Sequence, residues 1–130
     1  MTYTLTVNEL QLQQINNACD LVSRLYMGQW DTILELFRVH SISEAYDSID
    51  MRDKLNALAM ECGLRPSLNG YNGILSDEVD DKARILWDLN QVIRYRLAWD
   101  RSPQGGLGVN FDKPFHSCKD VPLAKVEKKP

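Results

Sequence analysis

A single segment limits what this chain can fold into. Ser76 is followed by Asp77, Glu78, Asp80 and Asp81; a helical pattern then runs on until Pro103 and Gly105-Gly106 interrupt it. Acidic residues at the start and Arg94, Arg96 and Arg101 near the end match the two poles of a helix dipole. A helix is therefore expected from Asp77 to about Trp99 or Asp100. With Leu86 as origin and 100° per residue, Val79, Ala83, Ile93 and Leu97 fall within about 60°. Leu89, Ile85 and Val92 carry the apolar arc on to about −120°. A surface helix needs an arc of only about 100°. This helix is thus expected either at the centre of the monomer or in a subunit interface.

The remaining elements are read around it. Tyr3, Leu5 and Val7 alternate with Thr4 and Thr6 as in a short strand. Asn8 and Gln11 have the spacing of a capping box, and Leu12, Ile15, Cys19, Val22 and Tyr26 give the next helix its stripe, which ends at Gly28. A second helix is expected from Gln29 to Val39 through Trp30, Ile33, Leu34 and Phe37, and a connection over residues 40–48. Met51, Leu55, Leu58, Ala59 and Cys62 mark a third helix with Gly63 as its C-terminal cap. Pro66, Asn69-Gly70 and Asn72-Gly73 predict a loop. Leu107, Val109 and Phe111 alternate as a second strand, whose natural partner is 3–7. The expected fold is mainly α: about four helices with a long central helix and a minor two-stranded β element. Residues 1–115 form a single helical domain, and 116–130 a basic extended or disordered tail. At 130 residues, one core is expected.

Composition excludes several classes. No apolar run approaches the roughly 18–20 residues of a membrane span, and Met1 to Val7 lack the features of a secretory signal, so a cytoplasmic protein is expected. Residues 1–100 hold 9 basic against 15 acidic residues, and residues 101–130 hold 6 against 3; an acidic body does not coat DNA. Cys19, Cys62 and Cys118 are too widely spaced for a disulfide framework or a zinc site, and His116 with Cys118 is too few ligands for a metal. His40 and His116 lie in expected loops, no serine sits in a nucleophile elbow, and the four carboxylates of residues 77–81 point in different directions from a helix. No enzymatic activity, metal or cofactor is expected.

Candidate binding residues come from the long helix. Asn90, at about +40°, and Arg96, at about −80°, intrude on the apolar arc. They are either satisfied structural residues or the lining of a cavity for a polar ligand. Trp87, Arg94, Ala98 and Arg101 form a strip between about 60° and 120°. An indole with guanidiniums suits a planar anion, since Arg clamps phosphate and Trp stacks on a base. Gly105-Gly106-Leu107-Gly108 would let backbone amides approach that anion, although no Lys-Ser/Thr follows as in a P-loop. The plain alternative is a packed Trp, with arginines complementing the helix end.

Two stretches carry a resemblance. Asp88-Leu89-Asn90-Gln91-Val92-Ile93-Arg94-Tyr95-Arg96-Leu97-Ala98-Trp99-Asp100-Arg101, with Pro103, Gly105-Gly106 and Gly108-Val109, resembles small uncharacterised accessory proteins of tailed bacteriophages and prophages. So do Tyr3 to Glu9, Ser23-Arg24-Leu25 and Met27-Gly28-Gln29. The resemblance implies action in the host cytoplasm against a host defence, by sequestering an anionic nucleotide signal or by binding a host defence protein. It adds Arg24 and Gln29 to the candidate ligand-binding set of Trp87, Asn90, Arg94, Arg96, Arg101, Gly105 and Gly106. A non-enzymatic nucleotide sponge is the expected function, and an inhibitor or decoy bound to a host protein is the alternative. Homo-oligomerisation is expected from the broad apolar arc together with Trp30 and Phe37.

Overall fold

The computed structural model describes residues 1–37, 45–64 and 73–130, with backbone alone for Phe37 and residues 45–49. Among the described residues four helices follow one another: α1 (Glu9–Tyr26), α2 (Thr32–Phe37), α3 (Ala45–Glu61) and α4 (Asp81–Arg101). No helix of the described residues is long and apolar enough to cross a membrane.

Local chemistry sets the ends of these helices. The capping box at the start of α1 forms as its spacing predicts: Gln11 N–H donates to Asn8 Oδ1 at 2.8 Å and Asn8 N–H to Gln11 Oε1 at 2.9 Å. Gly28 ends α1 with φ at 83°. Gln29 N–H reaches back to the Arg24 carbonyl and Gly28 N–H to that of Leu25, the paired bonds of a Schellman cap. Gly63 closes α3 in the same way, with φ at 81° and bonds from Leu64 N–H to the Ala59 carbonyl and from Gly63 N–H to that of Met60.

Several expected boundaries move. The second helix starts at Thr32 rather than Gln29, because 27–31 are used in the cap and a following turn; Trp30 there donates its indole N–H to the Leu25 carbonyl at 3.0 Å. The third helix begins at Ala45, inside the expected 40–48 connection, whose residues 40–44 lie outside the described residues, as do 65–72 of the expected loop. The long helix begins at Asp81, not Asp77. Asp80 is its N-cap, accepting from Lys82 N–H at 2.8 Å, and residues 76–79 form a preceding turn. Arg84 holds that turn, donating to the carbonyls of Val79 (2.8 Å) and Ser76 and to Asp81 Oδ1.

The expected two-stranded element does not form among the described residues. Residues 1–8 have no regular structure, and Val109–Phe111 coil into a 3-10 turn. The cause is Phe111, whose ring packs edge-on against Trp99 at 5.4 Å between centroids, while its carbonyl accepts from the Trp99 indole at 3.3 Å. Closing that contact bends the backbone that a strand would keep straight.

The chain divides into two units, residues 1–20 with 85–130 and residues 21–84. In the first, Val92, Ile93 and Leu97 of α4 form a buried cluster that packs against Leu12 and Ile15 of α1 and against Leu123 and Val126 of the C-terminal segment. Residues 116–130 carry no helix or strand; Val121 N–H returns to the Cys118 carbonyl at 3.3 Å in a turn, and the segment is anchored to α4. The buried Asp88 carboxylate accepts from Ser117 N–H (2.8 Å), Ser117 O–H (2.6 Å) and Cys118 N–H (2.9 Å). In the second unit, Ser23 is fully buried and donates its hydroxyl to the Ala83 carbonyl at 2.9 Å, a close approach made possible by two small side chains.

Candidate functional site

Between Ala83 and Asp100 every residue of the long helix is buried or half-buried. One face meets α1, and the opposite one, which carries Asp88 and Trp99, meets the C-terminal segment and the 102–111 loop.

The nine candidate residues are divided between the two units. Arg24 and Gln29 belong to the second unit and the other seven to the first. Arg24 and Gln29 do meet, Arg24 Nη1 donating to Gln29 Oε1 at 2.8 Å beside the α1 cap. Asn90, only 5% exposed, donates to Asn16 Oδ1 at 2.9 Å, which is the satisfied structural role. Arg96 donates to Asp100 one turn on. Arg101 ties the end of α4 to the start of α1, with Nε 2.7 Å from Glu9 Oε1 and Nη2 3.1 Å from Gln13 Oε1.

Gly105 and Gly106 have a packing role. A β-carbon at Gly106 would lie 2.8 Å from the Phe111 ring, and one at Gly105, where φ is 82°, would lie 3.1 Å from the Trp99 ring. The glycines therefore let the loop close over the aromatic pair. Trp99 contacts Tyr95 too, edge-on at 6.4 Å, and the three rings with two glycines account for this corner without an anion.

What remains of the expected strip is Trp87, half-buried, and Arg94, whose Nη2 donates to Gln91 Oε1 at 2.8 Å. Gln91 is the residue that sequence reasoning missed. One turn from both Trp87 and Arg94, it is 4% exposed, and its Nε2 has no hydrogen-bond partner among the described residues. Its position at about +140° on the helical map, just beyond the strip, was the available signal. Arg96 Nε is likewise buried and unpaired, but it lies on another side of the helix.

Asp88, Ser117 and His116 come together without forming a nucleophilic triad. The Ser117 hydroxyl donates directly to Asp88. His116 Nε2 donates to the Val121 carbonyl at 2.6 Å, so that nitrogen carries the proton and cannot serve as a base toward Ser117. Among the described residues no group of three His, Cys, Asp or Glu side chains is placed to hold a metal ion.

The largest difference from the sequence reading is on α3. Of its expected core stripe, only Ala59 is buried, at 0%. Met51 is 49% exposed and Leu58 50%, Cys62 is exposed, and Leu55 is half-buried. Leu36 of the neighbouring α2 is also exposed. No family model, curated protein or solved structure matches this chain.

Proposed function

We propose that this chain is a non-enzymatic binding protein that acts by docking α3 into an apolar groove on another protein. One observation carries the reading: of the stripe that periodicity assigns to a core, Met51, Leu58 and Cys62 are exposed and Leu55 is only half-buried. Met51, Leu55, Leu58 and Cys62 stand at i, i+4, i+7 and i+11, the spacing with which an amphipathic helix enters a groove. Methionine and leucine adapt well to such grooves. The opposite face, with Asp53 at about 160° from Leu55, is charged and exposed. The resemblance to phage accessory proteins supplies the setting, in which the partner is a host defence protein and the outcome is its inhibition in the host cytoplasm.

A photo-crosslinking amino acid placed at Leu58, and separately at Asp53, tests this in infected or expressing cells. One partner protein should be captured from position 58 and not from 53, and Leu58→Asp should weaken that complex at least tenfold, the scale of an anchor residue. Equal capture from both faces, or none from either, overturns the proposal.

Sequestration of a nucleotide is the second reading, and the unpaired Gln91 Nε2 favours it. A buried donor without an acceptor costs about 1–3 kcal/mol, which a phosphate or base oxygen lying between Trp87 and Arg94 would recover. Calorimetry against cyclic dinucleotides and cyclic ADP-ribose isomers separates the two readings. Binding lost on Arg94→Ala by about 1.5–3 kcal/mol supports the sponge, and flat titrations with folded protein dismiss it.

A further inference from the structure

Residues 3–7 have the alternation of a strand and no partner. They make no backbone hydrogen bond to any described residue, and Tyr3 and Leu5 are 85% and 73% exposed. We propose that this segment pairs antiparallel with the same segment of a second copy, forming a two-fold homodimer. The proposal is independent of α3, which belongs to the other unit.

Self-complementarity points to a second copy as the occupant. Centred on Leu5, antiparallel pairing sets Leu5 against Leu5, Tyr3 against Val7 and Thr4 against Thr6. The odd residues then share one face and the threonines the other. Aromatic with β-branched and threonine with threonine are the cross-strand pairs that stabilise antiparallel ladders. An isologous contact of this kind closes on itself and stops at a dimer.

A two-stranded ribbon alone is marginal, so more apolar surface must join it, and the fold puts it nearby. The Arg101 contacts to Glu9 and Gln13 hold the end of α4 beside the start of α1. Residues 3–7 and the 102–111 loop therefore leave the first unit at the same end. Leu10 (78% exposed), Leu107 (103%) and Val109 (60%) lie there too. Five such side chains at roughly 100 Å² each give about 500 Å² per partner, short of the ~800 Å² of a standard interface. At about 1,000 Å² in total the contact falls in the size range of weak, transient complexes, so the dimer should be a reversible one.

Sedimentation of the full chain across roughly 1–200 µM should show the mass rising from 14.9 kDa toward twice that value. Leu5→Lys places like charges opposite each other and should raise the dissociation constant at least tenfold without altering the helical circular dichroism. In a Cys62→Ser background, Leu5→Cys should oxidise to a disulfide dimer at least ten times faster than Glu127→Cys, a control for random collision. A monomer at every concentration overturns the proposal, as do equal oxidation rates or a dimer unaffected by Leu5→Lys. Any of these would leave residues 3–7 to a different protein's sheet edge.

Discussion

Asp88 is the residue whose loss should change the structure most for the least change in volume. Its carboxylate takes three hydrogen bonds from Ser117 and Cys118, which are themselves 4% and 3% exposed. In Asp88→Asn, Oδ1 can still accept from the Ser117 N–H and hydroxyl, but an amide NH₂ replaces Oδ2 and meets the Cys118 N–H. One charge-assisted bond, of about 1.5–3 kcal/mol, is replaced by two opposed donors. Asp88→Ala strands both backbone N–H groups, each at about 1–3 kcal/mol, and water entering the vacated space recovers part of that. The expected order is native, then Asn, down by about 2 kcal/mol, then Ala, down by about 3–4 kcal/mol. Urea unfolding followed by circular dichroism measures both values. Trypsin supplies the local readout, because Lys119 follows the clasp directly and Lys125 lies between Leu123 and Val126, which pack on the α4 cluster. Cleavage at these lysines should accelerate in Asp88→Asn under conditions where the helices stay folded. If Asp88→Asn unfolds within about 0.5 kcal/mol of native with its cleavage unchanged, the carboxylate is not what holds the C-terminal segment.

Three further outcomes follow from the packing. Gly106→Ala should cost about 1–3 kcal/mol, because its β-carbon meets the Phe111 ring at 2.8 Å, and the disturbed Trp99–Phe111 pair should show in tryptophan fluorescence. A thiol reagent near pH 8 should modify Cys62 at once and Cys19 and Cys118 only on unfolding, since the last two are buried and burial raises the Cys19 pKa. By the same sign, Cys19 favours the native state below the ordinary thiol range and ceases to do so as the pH rises through it, a loss that unfolding across that range would detect. Ala83→Leu should destabilise by about 1–3 kcal/mol, because Ala83 is fully buried and its carbonyl lies 2.9 Å from the Ser23 hydroxyl.

Patterns set by neighbours in sequence were readable, and those set by distant ones were not. The capping box at Asn8 and the glycine caps at Gly28 and Gly63 depend on residues within one turn, and all three form. The long helix was visible from its period, yet its start was misplaced by four residues. The acidic run offered several caps, and Arg84, which holds the preceding turn, acts through carbonyls five and eight residues back. The strand expected at 107–111 failed because Trp99, about three turns of chain away, claims Phe111. For the candidate site, Arg94 and Trp87 were legible as a strip, but not that Arg101 would be spent on Glu9, nor that Gln91 would be buried with an unpaired amide. Asp88 stands at about 200° on the helical map, outside the apolar arc. Its partners, 29 and 30 residues on, leave no local trace.

The contrast between α4 and α3 is our reason for proposing a protein partner rather than a small ligand. On α4, between Ala83 and Asp100, no residue is exposed, and most candidate polar groups are paired within the chain. A ligand there would have to displace structure. On α3, by contrast, Met51 and Leu58 are about half exposed and Cys62 is exposed. Stability and binding should therefore separate by helix. Leu58→Asp, at a half-exposed site, should leave the unfolding free energy within about 0.5 kcal/mol of native while weakening the complex. Asp88→Asn should lower stability and, wherever the protein remains folded, leave the Leu58 crosslink intact. If Leu58→Asp unfolded the protein instead, the α3 stripe would belong to the core after all, and the case for docking through it would fall.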